Sequence, residues 1–209
     1  MPLVHSEKIE EKVTIYLWQL VESETELKSL LSCKYNTEDL QTISHPQKIR
    51  EWLASRLLIK TMVEASGLVY YGTHRDENGK VFLINHTHPI SISHTHDYVA
   101  AVISEASPCG IDMEKMDPKL TRVANKFLSS GELESASDDI KKLCIYWCSK
   151  EALYKLHGRK KVSFREDIVI SEVVASSKKV SGVLKEGPVI IKSPIHIRWV
   201  GDYCVAISV

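Results

Sequence analysis

The distribution of apolar residues predicts a chain of short strands interrupted by two long helices. Residues 13–17 alternate and are β-branched, which favours a strand. Apolar side chains recur at helical spacing over residues 46–63 and again over 140–156, and each of these segments predicts a helix. Shorter helices are expected over residues 22–31 and from the Asp117-Pro118 pair to residue 128. Further strands are predicted at 81–84, 90–93, 98–104, 111–114, 167–170, 189–191, 195–199 and 203–209.

The two halves of the chain close on similar strands. Residues 97–102 read DYVAAV, and residues 202–207 read DYCVAI. A Ser-Pro-Cys-Gly break at 107–110 separates the two patterns. We therefore expect two similar α+β halves, residues 1–106 and 107–209, that arose by duplication. Such halves would be related by a pseudo-twofold axis, with the cleft between them as the natural ligand site.

Composition narrows the functional class. The 209 residues carry 27 Lys and Arg and 27 Asp and Glu, so the formal net charge is zero and the basic excess of a general nucleic-acid binder is missing. The first residues carry several charges, which argues against a secretory signal, and no apolar run approaches the roughly 20 residues of a membrane span. We expect a cytoplasmic protein that binds neither nucleic acid nor membrane.

The five cysteines suggest no disulfide framework. Their number is odd, and no C-x-x-C pair is present to suggest a zinc ribbon. Cys144 and Cys148 fall on one face of the second long helix, where thiols are more often packing groups than ligands.

An acidic strand is the first candidate for chemistry. In the segment GIDME (110–114), Asp112 and Glu114 share one face because alternate side chains of a strand point the same way. Two neighbouring carboxylates repel each other unless a cation or a proton lies between them, and Mg²⁺ prefers such oxygen ligands. The alternative is an exposed edge strand whose outer positions are acidic.

A second candidate lies on the second long helix, in the segment WCSKEALYK (147–155). Trp147, Glu151 and Lys155 follow one another at i, i+4 and i+8, and Lys150 is adjacent to Glu151. The carboxylate could be a third metal ligand, and the two ammonium groups could hold a pyrophosphate. The alternative is a surface Glu–Lys pair beside a tryptophan that packs in the core.

Histidines form a third group, at positions 86, 88, 94 and 96. The two H-x-H pairs could bind zinc, although no Cys or carboxylate completes a ligand spacing. Alternatively, Ser93-His94 at a strand end donates to a phosphate, or most of these histidines are exposed loop residues.

Basic residues form the fourth group. Lys119, Arg122 and Lys126 lie on one face of the helix that follows the acidic strand, where they could dock an acidic partner protein or simply contact solvent. Arg50 and Arg56 on the first long helix, with Lys80 in the Gly79-Lys80 turn, could hold a further phosphate.

These motifs together resemble the 4′-phosphopantetheinyl transferase superfamily. Its pattern is a G-[IV]-D-x-E strand followed, some forty residues later, by a W-x-x-K-E-[AS]-x-x-K helix, and segments 110–114 and 147–155 match both motifs. Phe127-Leu128-Ser129 with Glu132 resembles the intervening F-[FL]-S-x-x-E element, Ser93-His94 the preceding S-H element, and Gly79-Lys80 the G-K-P turn. The length resembles that of the two-halved, monomeric Sfp-like type.

The resemblance implies transfer of the phosphopantetheine arm of coenzyme A to a serine of an apo carrier protein, with release of adenosine 3′,5′-bisphosphate. By motif position, Mg²⁺ would be held by Asp112, Glu114 and Glu151. Lys150 and Lys155 would neutralise phosphate oxygens, and Glu151 would be the base for the serine, directly or through a water. The nucleotide end would be contacted by Arg56, Gly79, Lys80, Ser93 and His94. The acidic carrier would dock on Lys119, Arg122 and Lys126.

Three positions depart from the family pattern. Ser91 stands where the family has an asparagine, Val81 replaces the proline of G-K-P, and the basic loop after the second motif is altered to Gly158-Arg159-Lys160-Lys161. The metal carboxylates are unaffected. Two alternatives use the same residues: a coenzyme A or nucleotide-binding module with no carrier target, and a Mg²⁺-dependent phosphohydrolase.

Overall fold

The computed structural model describes residues 3–31, 38–158 and 161–209. Cys33 and the basic pair Arg159-Lys160 lie outside these ranges. The chain divides into two compact units, Met1–Ser107 and Pro108–Val209, and each combines α-helices with antiparallel sheet. The expected α+β class is confirmed.

Unit 1 packs a long helix on a four-stranded sheet. Its elements are β1 (Leu3–Glu10), β2 (Val13–Gln19), α1 (Glu24–Leu31), a 3₁₀ turn (Glu38–Thr42), α2 (Pro46–Ala65), β3 (Thr73–Arg75), β4 (Val81–Leu83), β5 (Ile90–His94) and β6 (Tyr98–Ser104). The sheet order is β1-β2-β6-β5 with antiparallel neighbours, and β3 and β4 form a separate hairpin.

Helix α2 is fixed at both ends by its sequence. The His45 side chain accepts a hydrogen bond from the Gln47 backbone N–H, and Pro46 occupies the first turn, where a missing N–H has no cost. Gly67 follows the helix with a φ of +76°, a conformation that favours glycine. The apolar side of α2, including Leu58 and Met62, is buried against the sheet.

Unit 2 carries both long motifs. Its elements are β7 (Gly110–Lys115), α3 (Lys119–Phe127), α4 (Ser130–Ala136), α5 (Ile140–His157), β8 (Ile168–Ile170), β9 (Lys179–Glu186), β10 (Val189–Val200) and β11 (Tyr203–Ser208). The five strands form one antiparallel sheet in the order β7-β11-β10-β9-β8. Helix α5 packs on β7 and β11, so the two motifs face each other.

Helix α5 has a sharp beginning and end. The Asp139 side chain accepts hydrogen bonds from the backbone N–H groups of Lys141 and Lys142 at the N-terminus. Gly158 ends the helix with a φ of +103°. Where α5 lies on β7, a Cβ at Gly110 would collide with the Ala152 carbonyl of the helix. The motif glycine therefore allows the helix to lie directly on the acidic strand.

Most predicted elements are confirmed, with shifts at their ends. Strands β1 and β9 and helix α4 were not predicted: β1 carries many charged residues, and α4 has only seven residues. Two strands were predicted on either side of Pro194, which has no N–H to donate. The structure instead continues β10 through this proline, opposite Ser181. In the described part of the chain, no helix combines the length and apolar character needed to cross a membrane.

Candidate active site

Asp112 and Glu114 lie at the centre of the candidate site, on β7 beneath α5. Strand β7 runs at the edge of the sheet, where Asp112 is opposite Ala206 and Glu114 is opposite Cys204 on β11. Asp112 is only 3% exposed, and Glu114 is half-buried. Buried carboxylates need partners, because an uncompensated charge is expensive to remove from water.

Helix α5 supplies those partners. The Lys155 Nζ donates to Asp112 Oδ1 at 2.7 Å and to the Ile111 carbonyl at 3.1 Å. The Trp147 Nε1 donates to Glu114 Oε1 at 3.4 Å. The strand and the helix are thus joined by two hydrogen bonds that reach the two acidic side chains.

Glu151 lies on α5 midway between the two residues that make these bonds. It is four residues after Trp147 and four residues before Lys155, so all three residues share one helix face. Its side chain is half-buried and lines a groove of about 960 Å³. The third predicted acidic residue is therefore on the helix face that contacts Asp112 and Glu114.

The electrostatics of Glu114 suit a cation. Burial raises the pKa of Glu114, and the neighbouring charge of Asp112 raises it further, against the lowering effect of the Trp147 hydrogen bond. A divalent cation would relieve both effects, and carboxylate oxygens are the ligands that Mg²⁺ prefers. The donor set therefore fits the expected metal. The donor oxygens of the three carboxylates do not all lie within 4.8 Å of one another, and Asp112 Oδ1 is held by Lys155 Nζ at 2.7 Å.

Lys150 has a different environment from Lys155. Its side chain is completely buried, and Nζ donates to Glu132 Oε2 at 2.7 Å and to the carbonyls of Phe164 and Ile168 at 2.7 and 2.6 Å. Burial lowers the pKa of this ammonium, while the bond to Glu132 opposes that effect. An ammonium has three N–H donors, so Lys150 would have to release one of these bonds to reach a phosphate.

Glu132 connects Lys150 to the rest of the unit. Its Oε2 also accepts from the Ser129 backbone N–H in a capping box at the start of α4, and its Oε1 accepts from the Ile170 N–H of β8. The F-L-S-x-x-E element thus has a structural role in this chain: it joins α4, α5 and β8 around one buried ion pair.

The groove beside Glu151 is largely aromatic. Trp147 packs edge-on against Phe127, with ring centroids 4.9 Å apart, and Phe164 contacts both Trp147 and Tyr154. Lys126 and Lys161 also line the groove. The surface next to the acidic residues is therefore an apolar floor with cationic groups, suited to a ligand that has both apolar and anionic parts.

The three basic residues of α3 are all exposed, and they lie on one face of the helix. Lys119 contacts Asp117 at 3.3 Å, and Lys126 reaches the groove.

In unit 1, His94 is held by a buried carboxylate. Its Nδ1 lies 3.1 Å from Glu51 Oε2, which also accepts from Lys48 Nζ at 2.7 Å. Ser93 is buried on the same strand. Sequence reasoning missed Glu51, because the contact joins α2 to β5 and has no short sequence spacing.

Arg56 and the Gly79-Lys80 turn lie elsewhere in unit 1. Arg56 is 7% exposed, stacks on the Trp52 ring at 4.1 Å and lies 3.6 Å from Asp39. Burial lowers its pKa, and the charge of Arg75 adds to that effect. Gly79 has a φ of +79° in the turn before β4, and the Lys80 backbone N–H donates to Asp76.

The histidine zinc hypothesis gains no support. His86 Nε2 lies 2.6 Å from the Val69 carbonyl, and the rings of His86 and His88 are 6.2 Å apart. Among residues 3–31, 38–158 and 161–209, the group of close metal-ligating side chains is instead Cys144, Cys148 and Cys204. Hydrogen bonds from the other two thiols lower the pKa of Cys144 to about 5. The spacing of Cys144 and Cys148 was visible in the sequence, whereas Cys204 joins them only through the fold.

The fold and the site define an α+β domain with acidic groups of the kind that bind a divalent cation, next to an apolar groove. Residues 108–208 match the family model of the 4′-phosphopantetheinyl transferase superfamily, so unit 2 is a domain of this superfamily, as its motifs indicated. No curated protein matches the chain. The superfamily transfers phosphopantetheine from coenzyme A to carrier proteins and usually uses a divalent metal.

Proposed function

We propose that this protein transfers the 4′-phosphopantetheine group of coenzyme A to a serine hydroxyl of an apo acyl or peptidyl carrier protein, as a Mg²⁺-dependent holo-carrier-protein synthase. The proposal is supported most directly by the placement of Glu151 between two bonds, Trp147 to Glu114 and Lys155 to Asp112. This arrangement brings the acidic groups of both family motifs to one helix–strand contact.

In this proposal Asp112, Glu114 and Glu151 hold Mg²⁺. The metal would neutralise charge on the pyrophosphate of coenzyme A, which is the main requirement of phosphoryl transfer. Lys155 is the available cation beside it: its side chain is 12% exposed and already contacts a carboxylate of the site. We assign the neutralisation of phosphate oxygens to Lys155 first, and to Lys150 only if one of its three bonds opens.

Glu151 is our candidate for the general base. Asp112 is paired with Lys155, whereas Glu151 opens into the groove from which a serine could approach. As the serine Oγ forms its bond to the β-phosphorus of coenzyme A, its proton passes to Glu151, directly or through a water. The bond from that phosphorus to the bridging oxygen breaks, and adenosine 3′,5′-bisphosphate leaves with the electron pair.

We propose further that residues of unit 1 contact the nucleotide end of coenzyme A. His94 is half-exposed, and its Nδ1 lies 3.1 Å from Glu51 Oε2, a contact that orients the imidazole ring. Ser93, Arg56, Gly79 and Lys80 complete this set by motif position. The substitutions at Ser91 and Val81 leave the nucleotide contacts less closely matched to the family than the metal carboxylates.

The carrier would approach through the exposed basic face of α3, with Lys119, Arg122 and Lys126 meeting acidic residues of the carrier. We also propose that the protein acts as a monomer in the cytoplasm, as its family likeness and composition suggest.

The test is modification of apo carrier proteins in the presence of coenzyme A and Mg²⁺, followed by intact-mass measurement. The expected product gains about 340 Da on one serine, the mass of the transferred arm. Glu151→Gln should abolish this gain, whereas Glu134→Gln, an exposed glutamate on α4, should leave it intact. Full activity of the Glu151 variant, or modification that continues after all divalent metal is chelated, would contradict the assignment.

A further inference from the structure

Three cysteines lie together in the interior of unit 2. Cys144 and Cys148 are on α5, and Cys204 is on β11. Their Sγ atoms all lie within 4.8 Å of one another, and all three side chains are completely buried.

The backbone fixes this group from both elements. Cys144 and Cys148 are one helical turn apart, so both thiols project from the same face of α5 toward the sheet. The Cys144 Sγ lies 3.7 Å from the Glu114 carbonyl, and the Cys148 Sγ lies 3.7 Å from the Cys204 carbonyl. Little rearrangement is therefore needed to aim three sulfurs at one point.

We propose that Cys144, Cys148 and Cys204 bind one soft monovalent metal ion, Cu⁺. The donors are all sulfur, and soft thiolate ligands select ions such as Cu⁺ and Zn²⁺ over hard ions such as Mg²⁺. A structural zinc site requires four ligands. Within the described parts of the chain, no histidine or carboxylate joins the three sulfurs, which matches an ion that accepts three donors.

Binding of the ion releases protons, because the thiolate and not the thiol is the metal ligand. Each cysteine that still carries its proton loses it to solvent as its sulfur binds Cu⁺. The site is distinct from the proposed Mg²⁺ ligands in donor type, and the proposal does not depend on the transferase activity.

The experiment is an anaerobic titration of the reduced full-length protein with Cu⁺, in competition with a colorimetric Cu⁺ chelator. We expect one tightly bound ion per chain, and X-ray absorption of the loaded protein should show a first shell of three sulfurs. Cys204→Ala and Cys148→Ala should each lose this ion. Cys109 is a matched control, because it is equally buried in the same unit but lies outside the group. The Cys33→Ala/Cys109→Ala double variant should still bind one ion.

Several results would overturn the proposal. One is the absence of competition for Cu⁺ by the wild-type protein; another is binding that is lost in the Cys33→Ala/Cys109→Ala variant. Preferential binding of Zn²⁺ with nitrogen or oxygen in its shell would also reject it. If an alanine variant fails to fold, X-ray absorption of the Cu⁺-loaded wild-type protein still tests the proposal, because it shows directly whether three sulfurs surround the ion.

Discussion

At the scale of single residues, two lysines five positions apart have opposite environments. Lys150 is sealed in the interior with Glu132 and two backbone carbonyls, whereas Lys155 reaches Asp112 at the edge of the site. Both belong to the same motif, and both were predicted to hold phosphate. The three bonds of Lys150 hold the turn of α5 that also carries Glu151, so we infer that Lys150 positions this turn.

Removal of Lys150 should therefore destabilise the fold. Lys150→Met leaves Glu132 charged and buried without its partner, a change that costs about 3–5 kcal/mol. Urea unfolding followed by circular dichroism measures this loss, and Lys119→Met, at an exposed position, should cost no more than about 0.5 kcal/mol. The additional change Glu132→Gln should recover part of the loss. A Lys150→Met variant that is as stable as wild type would show that the buried pair contributes little.

Glu114 should give a stability that depends on pH in a particular direction. Because its folded pKa lies above the ordinary value, the folded state binds more protons than the unfolded state between those two values. Metal-free stability should therefore fall as pH rises through that window. In Glu114→Gln this contribution disappears, so the variant should gain stability over wild type as pH rises toward neutrality. Urea midpoints in chelator from pH 4 to 8 test this; a difference that does not change with pH would contradict it.

The same titration should affect metal binding. In the proposed site, protons and Mg²⁺ would compete for the Glu114 carboxylate, so Mg²⁺ affinity should decrease as pH falls through the raised pKa of Glu114. Glu114 would therefore lower the stability of the metal-free fold near neutral pH, while its carboxylate would bind the metal that the proposed activity needs.

At the scale of elements, the site depends on how closely α5 approaches β7. The approach is possible because Gly110 has no side chain opposite the Ala152 carbonyl. The bonds from Trp147 and Lys155 then fix the rotation of α5 about its axis, and Glu151 lies on the same helix face between these two residues.

Gly110→Ala should accordingly push the helix away from the strand. The collision with backbone atoms of α5 should cost about 1–3 kcal/mol in unfolding free energy, and transferase activity should fall further than stability alone explains. Gly131→Ala is the matched control, because nothing lies within 4 Å of a Cβ there. As a substitution in helix α4, it should stabilise by about 0.5–1 kcal/mol. If the two substitutions change the unfolding free energy and the activity equally, the close approach of α5 to β7 does not depend on Gly110.

At the scale of the whole molecule, a net charge of zero conceals a local basic face. Lys119, Arg122 and Lys126 are exposed together on α3, next to the groove that Glu151 lines. A surface of one sign raises the rate of encounter with a partner of the opposite sign, and salt weakens the effect.

Reversal of these three residues to glutamate should raise the KM for the carrier by about tenfold or more at low ionic strength, with little change in the KM for coenzyme A. The control makes the same charge change at Lys178, Lys185 and Lys192, which are exposed elsewhere in unit 2. Steady-state kinetics at low and high salt give the KM for the carrier and the KM for coenzyme A in each triple variant. If both triple variants lose carrier affinity equally, net charge rather than the α3 face is responsible.

The sequence by itself determined the local features. Periodicity located both long helices and most strands, because burial of one face leaves a repeat of 3.6 or 2 residues in the chain. The motif spacing showed that Asp112 and Glu114 share a strand face, and that Trp147, Glu151 and Lys155 share a helix face. The resemblance to the superfamily followed from these same residues, and the family model matches the unit that carries them.

Only the tertiary structure decided which of these groups meet. The bond from Lys155 to Asp112 spans 43 residues, and the contact from Cys148 to Cys204 spans 56. Such contacts depend on how α5 lies on the sheet, which no local repeat encodes. The burial of Lys150 was decided in the same way, because adjacent positions on a helix point about 100° apart and one residue can enter the core while its neighbour lines a groove.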